Sequence, residues 1–222
     1  MIVEDIDSID GHGETSNRSV VSIPLYKAPT LLQTLPPLDF TDPSHFSVNG
    51  TVLSRTTHGR SVGGYWVWSS VLLSDPFTCG VVSVTITILN KLAFSLRFGL
   101  MDSAFGVPDI DTALGYNIEN SLGLHTNGSL QFNIPSSRAN ESCFNVVNEG
   151  DCVRMEVDMD STPRTVQFKV NGEAGRYFMS GIPSSIRIGF STCAAGSSIR
   201  IDNISRLSQP TPISEDMVEQ RW

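Results

Sequence analysis

Residues 149–172 read EGDCVRMEVDMDSTPRTVQFKVNG, and their pattern decides the fold class. Val153, Met155, Val157 and Met159 alternate with Arg154, Glu156, Asp158 and Asp160, the two-residue period of a strand with one face buried and the other wet. Ser161-Thr162-Pro163 then interrupts the run. Proline has no N–H to give to a ladder, so the chain is expected to reverse there. Val166, Phe168 and Val170 alternate with Gln167 and Lys169 until Asn171-Gly172, a pair suited to positive φ, closes the segment in a tight turn. The stretch predicts two strands folded back on each other, with Val153, Met155, Val157, Val166, Phe168 and Val170 as scaffold.

The same period recurs on both sides. Between Gly80 and Leu89, Val82, Val84, Ile86 and Ile88 alternate with Val81, Ser83, Thr85 and Thr87, a strand rich in β-branched residues. Asn90-Lys91 turns it, and Phe94, Leu96, Phe98 and Leu100 read as its antiparallel neighbour in a second hairpin. His45 to Leu53 looks like a strand pair around Asn49-Gly50. Asp102 to Thr112 has no period and reads as a surface loop. Gly115-Tyr116 opens a weaker strand, and Leu122 and Leu124 lead through Asn127-Gly128 to Leu130, Phe132 and Ile134. Residues 135–148 read as a polar connection. Ile186, Ile188 and Phe190 form a further strand, Ala194-Ala195-Gly196 a turn, and Ile199, Ile201 and Ile204 the last strand. No convincing 3.6-residue period extends beyond about two turns. Short alternating strands separated by Asn-Gly and Gly-rich turns imply an all-β, two-layer antiparallel sandwich with flexible termini.

Composition sets the remaining bounds. A chain of 222 residues with 40% hydrophobic residues can bury a substantial core. No window approaches the roughly 18 apolar residues of a membrane span, and the first residues lack the basic and apolar regions of a signal peptide. These features lead us to expect a soluble, cytoplasmic protein. The net charge of −8 is concentrated at the ends: residues 1–16 carry −5 and residues 209–222 carry −2, leaving −1 between them. We therefore read residues 1–37 as a disordered or linker segment, 38–208 as the folded domain and 209–222 as a flexible acidic tail. Without a Lys/Arg cluster to neutralise phosphates, nucleic acid is not an expected partner.

No constellation of residues in the chain carries a catalytic or metal-binding signature. Cys79, Cys143, Cys152 and Cys193 make no C-x-x-C pair and read as free thiols. The four histidines are scattered and no ligand spacing recurs, so neither a metal nor another cofactor is expected. Glu156, Asp158 and Asp160 share a strand face, as paired acids do in sandwich glycosidases, yet the E-x-D-x-x-E arrangement lacks its second glutamate. Asp109-Ile110-Asp111 is the one suggestion of a calcium loop, and it reads as loop solvation. Arg55 to Gly64 is a Gly-rich polar loop leading into Tyr65, Trp66, Val67 and Trp68. These rings form either an exposed contact surface or a cap on the core.

The hairpin stretch also resembles a known family. Gly150-Asp151, the strand ending Asp158-Met159-Asp160, and Thr165-Val166-Gln167-Phe168-Lys169-Val170-Asn171-Gly172 are similar to the core motif of SPRY (B30.2-type) domains. Phe77-Thr78-Cys79-Gly80, Phe98-Gly99-Leu100, Leu114-Gly115-Tyr116, Asn120 to Leu124 with Asn127-Gly128, and Ile182-Pro183 through Ile201 extend the likeness over about residues 38–208. The resemblance implies a concanavalin A-like jelly roll without catalytic activity, binding a protein or peptide through loops at one end of its sheets. By position, those loops are Thr56–Gly64, the loop opening into Tyr116, and the turn Ser191–Ala195. The expected partner-binding residues within them are His58, Arg60, Tyr116, Thr192 and Ala194. The alternatives are a carbohydrate-binding lectin and, less in keeping with the residues, a β-sandwich glycoside hydrolase. The domain is expected to be monomeric, with no membrane partner.

Overall fold

The computed structural model describes residues 35–57, 67–92, 95–106, 113–134 and 137–222. Residues 1–34, which include most of the expected linker, lie outside the described residues. In chain order the first strands are β1 (Leu38–Phe40), β2 (Phe46–Asn49), β3 (Val52–Arg55), β4 (Ser69–Leu73) and β5 (Val81–Asn90). They are followed by β6 (Leu96–Asp102), β7 (Ser121–His125), β8 (Ser129–Ile134), β9 (Ser137–Ser142) and β10 (Cys152–Asp158). The last are β11 (Thr165–Val170), β12 (Glu173–Ser180), β13 (Ile186–Thr192), β14 (Ser198–Leu207) and β15 (Val218–Arg221). Among the described residues a single 3-10 turn, Pro43–His45, is capped by the Asp42 side chain, which accepts from the Ser44 N–H.

Two sheets face each other. Among the described residues, one has seven strands in the order β1-β4-β13-β6-β7-β8-β9 and the other eight in the order β15-β12-β11-β10-β5-β14-β3-β2. Among the described residues all strand pairings are antiparallel except β12 with β15, which is parallel. The hairpin expected over 149–172 forms as β10–β11, with Met155 opposite Phe168 and Val157 opposite Val166. Its inward side chains join one continuous core with Val82, Val84 and Ile86 of β5 and Leu96, Phe98 and Leu100 of β6. Phe98 meets Phe168 edge-on across the two layers, with ring centroids 6.4 Å apart. Asn171 and Gly172 both take positive φ, as the turn demands.

Several expectations are corrected. β5 and β6 do not pair: β5 lies between β10 and β14, and β6 between β13 and β7 in the other sheet. Alternation shows that each strand has an inner face, but it suits partners facing each other across the sandwich as well as partners in one ladder. Residues 137–142 form edge strand β9 on β8 instead of a polar connection. Tyr116 begins no strand, because residues 113–120 cross the outer face of the seven-stranded sheet as a chain of turns. The C-terminal residues also differ from the expected flexible tail. Thr211 hydrogen-bonds to Glu156, β15 extends the eight-stranded sheet, and Trp222 packs against the core. That cover explains why the outward-facing Glu156 of β10 is only 3% exposed.

Among the described residues no helix is long and apolar enough to cross a membrane. The four cysteines are unpaired, with Cys143 and Cys193 buried and Cys79 exposed.

Candidate functional site

The site is built on the outer face of the seven-stranded sheet. On β6, Leu96, Phe98 and Leu100 point into the core, so Arg97 must point outward. The register sets Arg97 opposite Ser191 of β13 on one side and His125 of β7 on the other, and Ser191 opposite Ser70 of β4. This row is polar yet buried. Arg97 retains only 6% exposure although it stands on the outer surface of its sheet.

The segment 113–120 covers it. Leu114 donates its N–H to Ser191 Oγ at 3.1 Å, and Ser191 Oγ lies 2.7 Å from Ser70 Oγ. Gly115 donates to Ser121 Oγ at 2.8 Å. Leu114 and Ile118 then bury themselves against Leu72 and Met101, a small apolar cluster separate from the main core. Two glycines permit this approach. Gly115 sits at φ +73°, and a Cβ there would stand 2.1 Å from the Gln131 carbonyl oxygen; a Cβ at Gly123 would stand 2.9 Å from that of Leu114. The Tyr116 carbonyl is held by Arg138 Nη2 at 2.8 Å and Asn133 Nδ2 at 3.3 Å.

The result is a stack of alternating aromatic rings and guanidinium groups. Arg97 lies 4.4 Å from the Trp68 ring centre and 4.9 Å from that of Tyr116, and Arg138 lies 5.0 Å from the Tyr116 ring. Trp68 in turn meets the His125 ring edge-on at 6.1 Å. Ring faces attract cations, by about 0.5 to 2 kcal/mol each depending on desolvation. They do not replace hydrogen bonds. Nε and Nη1 of Arg97 are buried with no hydrogen-bond acceptor among the described residues. Neither Arg97 nor Arg138 belongs to an ion pair there, since those pairs lie elsewhere, as in Arg187–Asp39 and Arg200–Asp202. Burial, opposed by Cys193 and Tyr116 and aided by Arg138, lowers the Arg97 pKa to about 10. Tyr116 forms the outer layer and is 48% exposed.

Arg55 fixes the surrounding loops. It is 1% exposed, and its guanidinium donates to the carbonyls of Thr57, Thr192 and Val67. Its own backbone is tied to Ser197 and Gly196. One side chain thereby joins the loop after β3, the approach to β4 and the end of β13, and desolvation lowers its pKa. Cys193 lies beside both Arg55 and Arg97, and burial raises its thiol pKa more than their charges lower it.

Of the five residues expected to bind a partner, Tyr116 is at the surface of the stack. Thr192 is 0% exposed and Ala194 is 6% exposed, so both are interior positions of the end that Arg55 holds. His58 and Arg60, with Tyr65 and Trp66, lie outside the described residues. Val67 is buried and Trp68 half-buried. Arg97 and Arg138 were not singled out from sequence. The available signal was a lone arginine between Leu96 and Phe98 in an otherwise apolar strand, which reads equally as an ordinary wet-face residue. The candidate glycosidase acids are engaged in the fold. Glu156 binds Thr211 and Arg154, Asp158 caps the turn at Asp160 and Ser161, and Asp160 accepts from the Gly80 N–H. No group of three or more His, Cys, Asp or Glu suited to a metal ion occurs among the described residues.

No protein-family model matches the chain, and no curated protein matches it in sequence. Among solved structures it is similar to the SPRY domain of human HERC1, with 14% identity and a TM-score of 0.51 over 78% of this chain and 100% of that one. It is also similar to the TRIM65 PSpry domain, with 16% identity and a TM-score of 0.51 over 75% of this chain and 89% of that one. At such identities the likeness is one of fold, and the chain is an all-β, SPRY-like two-sheet sandwich.

Proposed function

We propose that this chain is a non-catalytic protein-interaction module that binds a short peptide or an exposed loop of a partner protein, for targeting or scaffolding. The observation that carries this reading is the exposed Tyr116 ring beside a buried Arg97, two of whose nitrogens have no hydrogen-bond acceptor among the described residues. Aromatic and arginine side chains anchor interface hot spots because they combine large contact area with directional hydrogen bonds. Loops held on a rigid sheet supply such a surface at small ordering cost. The engagement of Glu156, Asp158 and Asp160 in structural hydrogen bonds supports the absence of catalysis. The binding domain is residues 38–222, because β15 and Trp222 belong to the same sandwich; a linker over 1–37 precedes it, and it acts as a monomer in the cytoplasm.

The test is a displayed library of random peptides selected on the immobilised protein, with a glycan array run beside it. The expected result is a family of enriched peptides whose affinity falls at least tenfold on Tyr116→Ala, with His58, Arg60, Thr192 and Ala194 scanned in the same way. Glycan binding without peptide enrichment would replace this reading with a lectin.

A further inference from the structure

We infer that the ligand brings a carboxylate, which enters the Trp68–Arg97–Tyr116 stack and pairs with Arg97; this rests on the peptide-binding reading above. The argument starts from charge. The protein as a whole carries −8, yet this site gathers Arg97 and Arg138 with no acidic partner among the described residues. A buried guanidinium is ordinarily paired, because desolvating a charge without a counter-ion is strongly unfavourable. Arg97 has given up its water at 6% exposure, and two of its nitrogens remain without acceptors there.

Shape selects the anion. The Arg97 guanidinium lies 4.4 Å and 4.9 Å from the centres of two rings, and its N–H groups point only in its own plane, so it favours a planar acceptor approaching edge-on. A carboxylate meets that requirement and forms charge-assisted hydrogen bonds about twice as strong as neutral ones. Entry requires a shift of Tyr116, the outer ring, which is 48% exposed. Side-chain rearrangement of this kind is common at interfaces. Arg138, 5.0 Å from the centre of the same ring, adds positive potential along the approach. The carboxylate is that of an Asp or Glu side chain in the partner or that of its free C-terminus.

The test uses peptide arrays in which each random sequence is printed with Asp or Glu at one position and again with Asn or Gln, each with a free or amidated C-terminus. Wild type is expected to prefer the carboxylate form at least tenfold. Preference retained on amidated peptides assigns a side chain, and preference confined to free ends assigns the C-terminus. Arg97→Met is expected to remove the preference while melting at or above the wild-type temperature, because it relieves an unpaired buried charge. Equal binding of acids and amides, preference for phosphorylated peptides, or an unchanged preference in Arg97→Met would overturn the inference while leaving peptide binding intact. Silence of every spot, including those without charge, would instead count against the peptide-binding reading. Asp109 and Asp111, which precede this loop in sequence, supply the internal control. Their replacement by Asn is expected to leave the acid preference and the melting temperature unchanged, and a loss of stability that vanishes in the Arg97→Met background would assign the carboxylate to the chain itself and overturn the proposal.

Discussion

Thr211 holds Glu156 by two hydrogen bonds, from its backbone N–H at 2.5 Å and from its hydroxyl at 2.8 Å. Arg154 pairs with the same carboxylate at 2.6 Å, and Gln167 donates to the Thr211 carbonyl at 2.9 Å. This contact ties the C-terminal residues to the central hairpin and encloses an acid that would otherwise face water. Thr211→Val keeps the shape and loses the hydroxyl bond to a charged acceptor, which is expected to lower stability by about 1.5–3 kcal/mol. Urea unfolding measures it. Thr211→Ser should restore most of the difference, and a valine variant as stable as wild type would show that the contact contributes nothing.

Removing residues 211–222 tests a second consequence of the same arrangement. The cut strips β15 from β12 and leaves the backbone groups of β12 unpaired along an edge. Exposed edges recruit other chains. The truncated protein is therefore expected to associate at concentrations where the full chain does not, as read by light scattering. A fully monodisperse truncation would contradict this.

The residues most legible in sequence are those whose environment is local and periodic. Val153 to Met159 and Val166 to Val170 announced their hairpin because alternation, an interrupting proline and an Asn-Gly turn all act within a few residues. β12 was not read, since Ala174-Gly175 breaks its alternation. β15 was hidden because Val218 to Arg221 reads as a charged end and is a strand only by virtue of its partner β12. Alternation over β5 and β6 does not tell their partners apart, because an inner face does not name the strand opposite. Arg97 was invisible for the same kind of reason. Its character comes from Trp68 and Tyr116, which are 29 and 19 residues away and reach it only through the fold.

Phe168 is the residue of the opening hairpin that most directly joins the two layers. It is 1% exposed and packs against Phe98. Phe168→Ala is expected to cost about 3–5 kcal/mol as a large-to-small change in a closed core. Thermal melting checks this, and an unchanged melting temperature would remove Phe168 from the core. Any loss of binding in this variant should follow the unfolded fraction.

Thiol chemistry separates the four cysteines. Cys79 is exposed, whereas Cys143 and Cys193 are buried and hold raised thiol pKa values because burial disfavours the thiolate. The thiolate is the reactive form, so both access and ionisation protect the buried pair. An alkylating reagent at pH 8 is expected to modify Cys79 first, Cys152 more slowly, and Cys143 and Cys193 only on unfolding. Peptide mapping by mass spectrometry reads the order. Early labelling of Cys193 in the folded protein would mean that the end of β13 opens readily, contrary to the closure that Arg55 provides there.

Gly115 offers a way to disturb the stack without touching any member of it. At φ +73° an L side chain is strained, and the Cβ would also overlap the Gln131 carbonyl oxygen at 2.1 Å. Backbone strain in that region costs about 1–3 kcal/mol before the clash is counted. The loop is anchored separately through Leu114 to Ser191 and through Leu114 and Ile118 to Leu72 and Met101, so the sandwich beneath it has no reason to unfold. Gly115→Ala is therefore expected to lower the melting temperature modestly while displacing Tyr116 and exposing Arg97. The exposure should appear as faster modification of Arg97 by a dicarbonyl reagent. If Gly115→Ala melts like wild type and Arg97 stays protected, segment 113–120 has room that its observed path does not show, and Tyr116 is not the cover over Arg97.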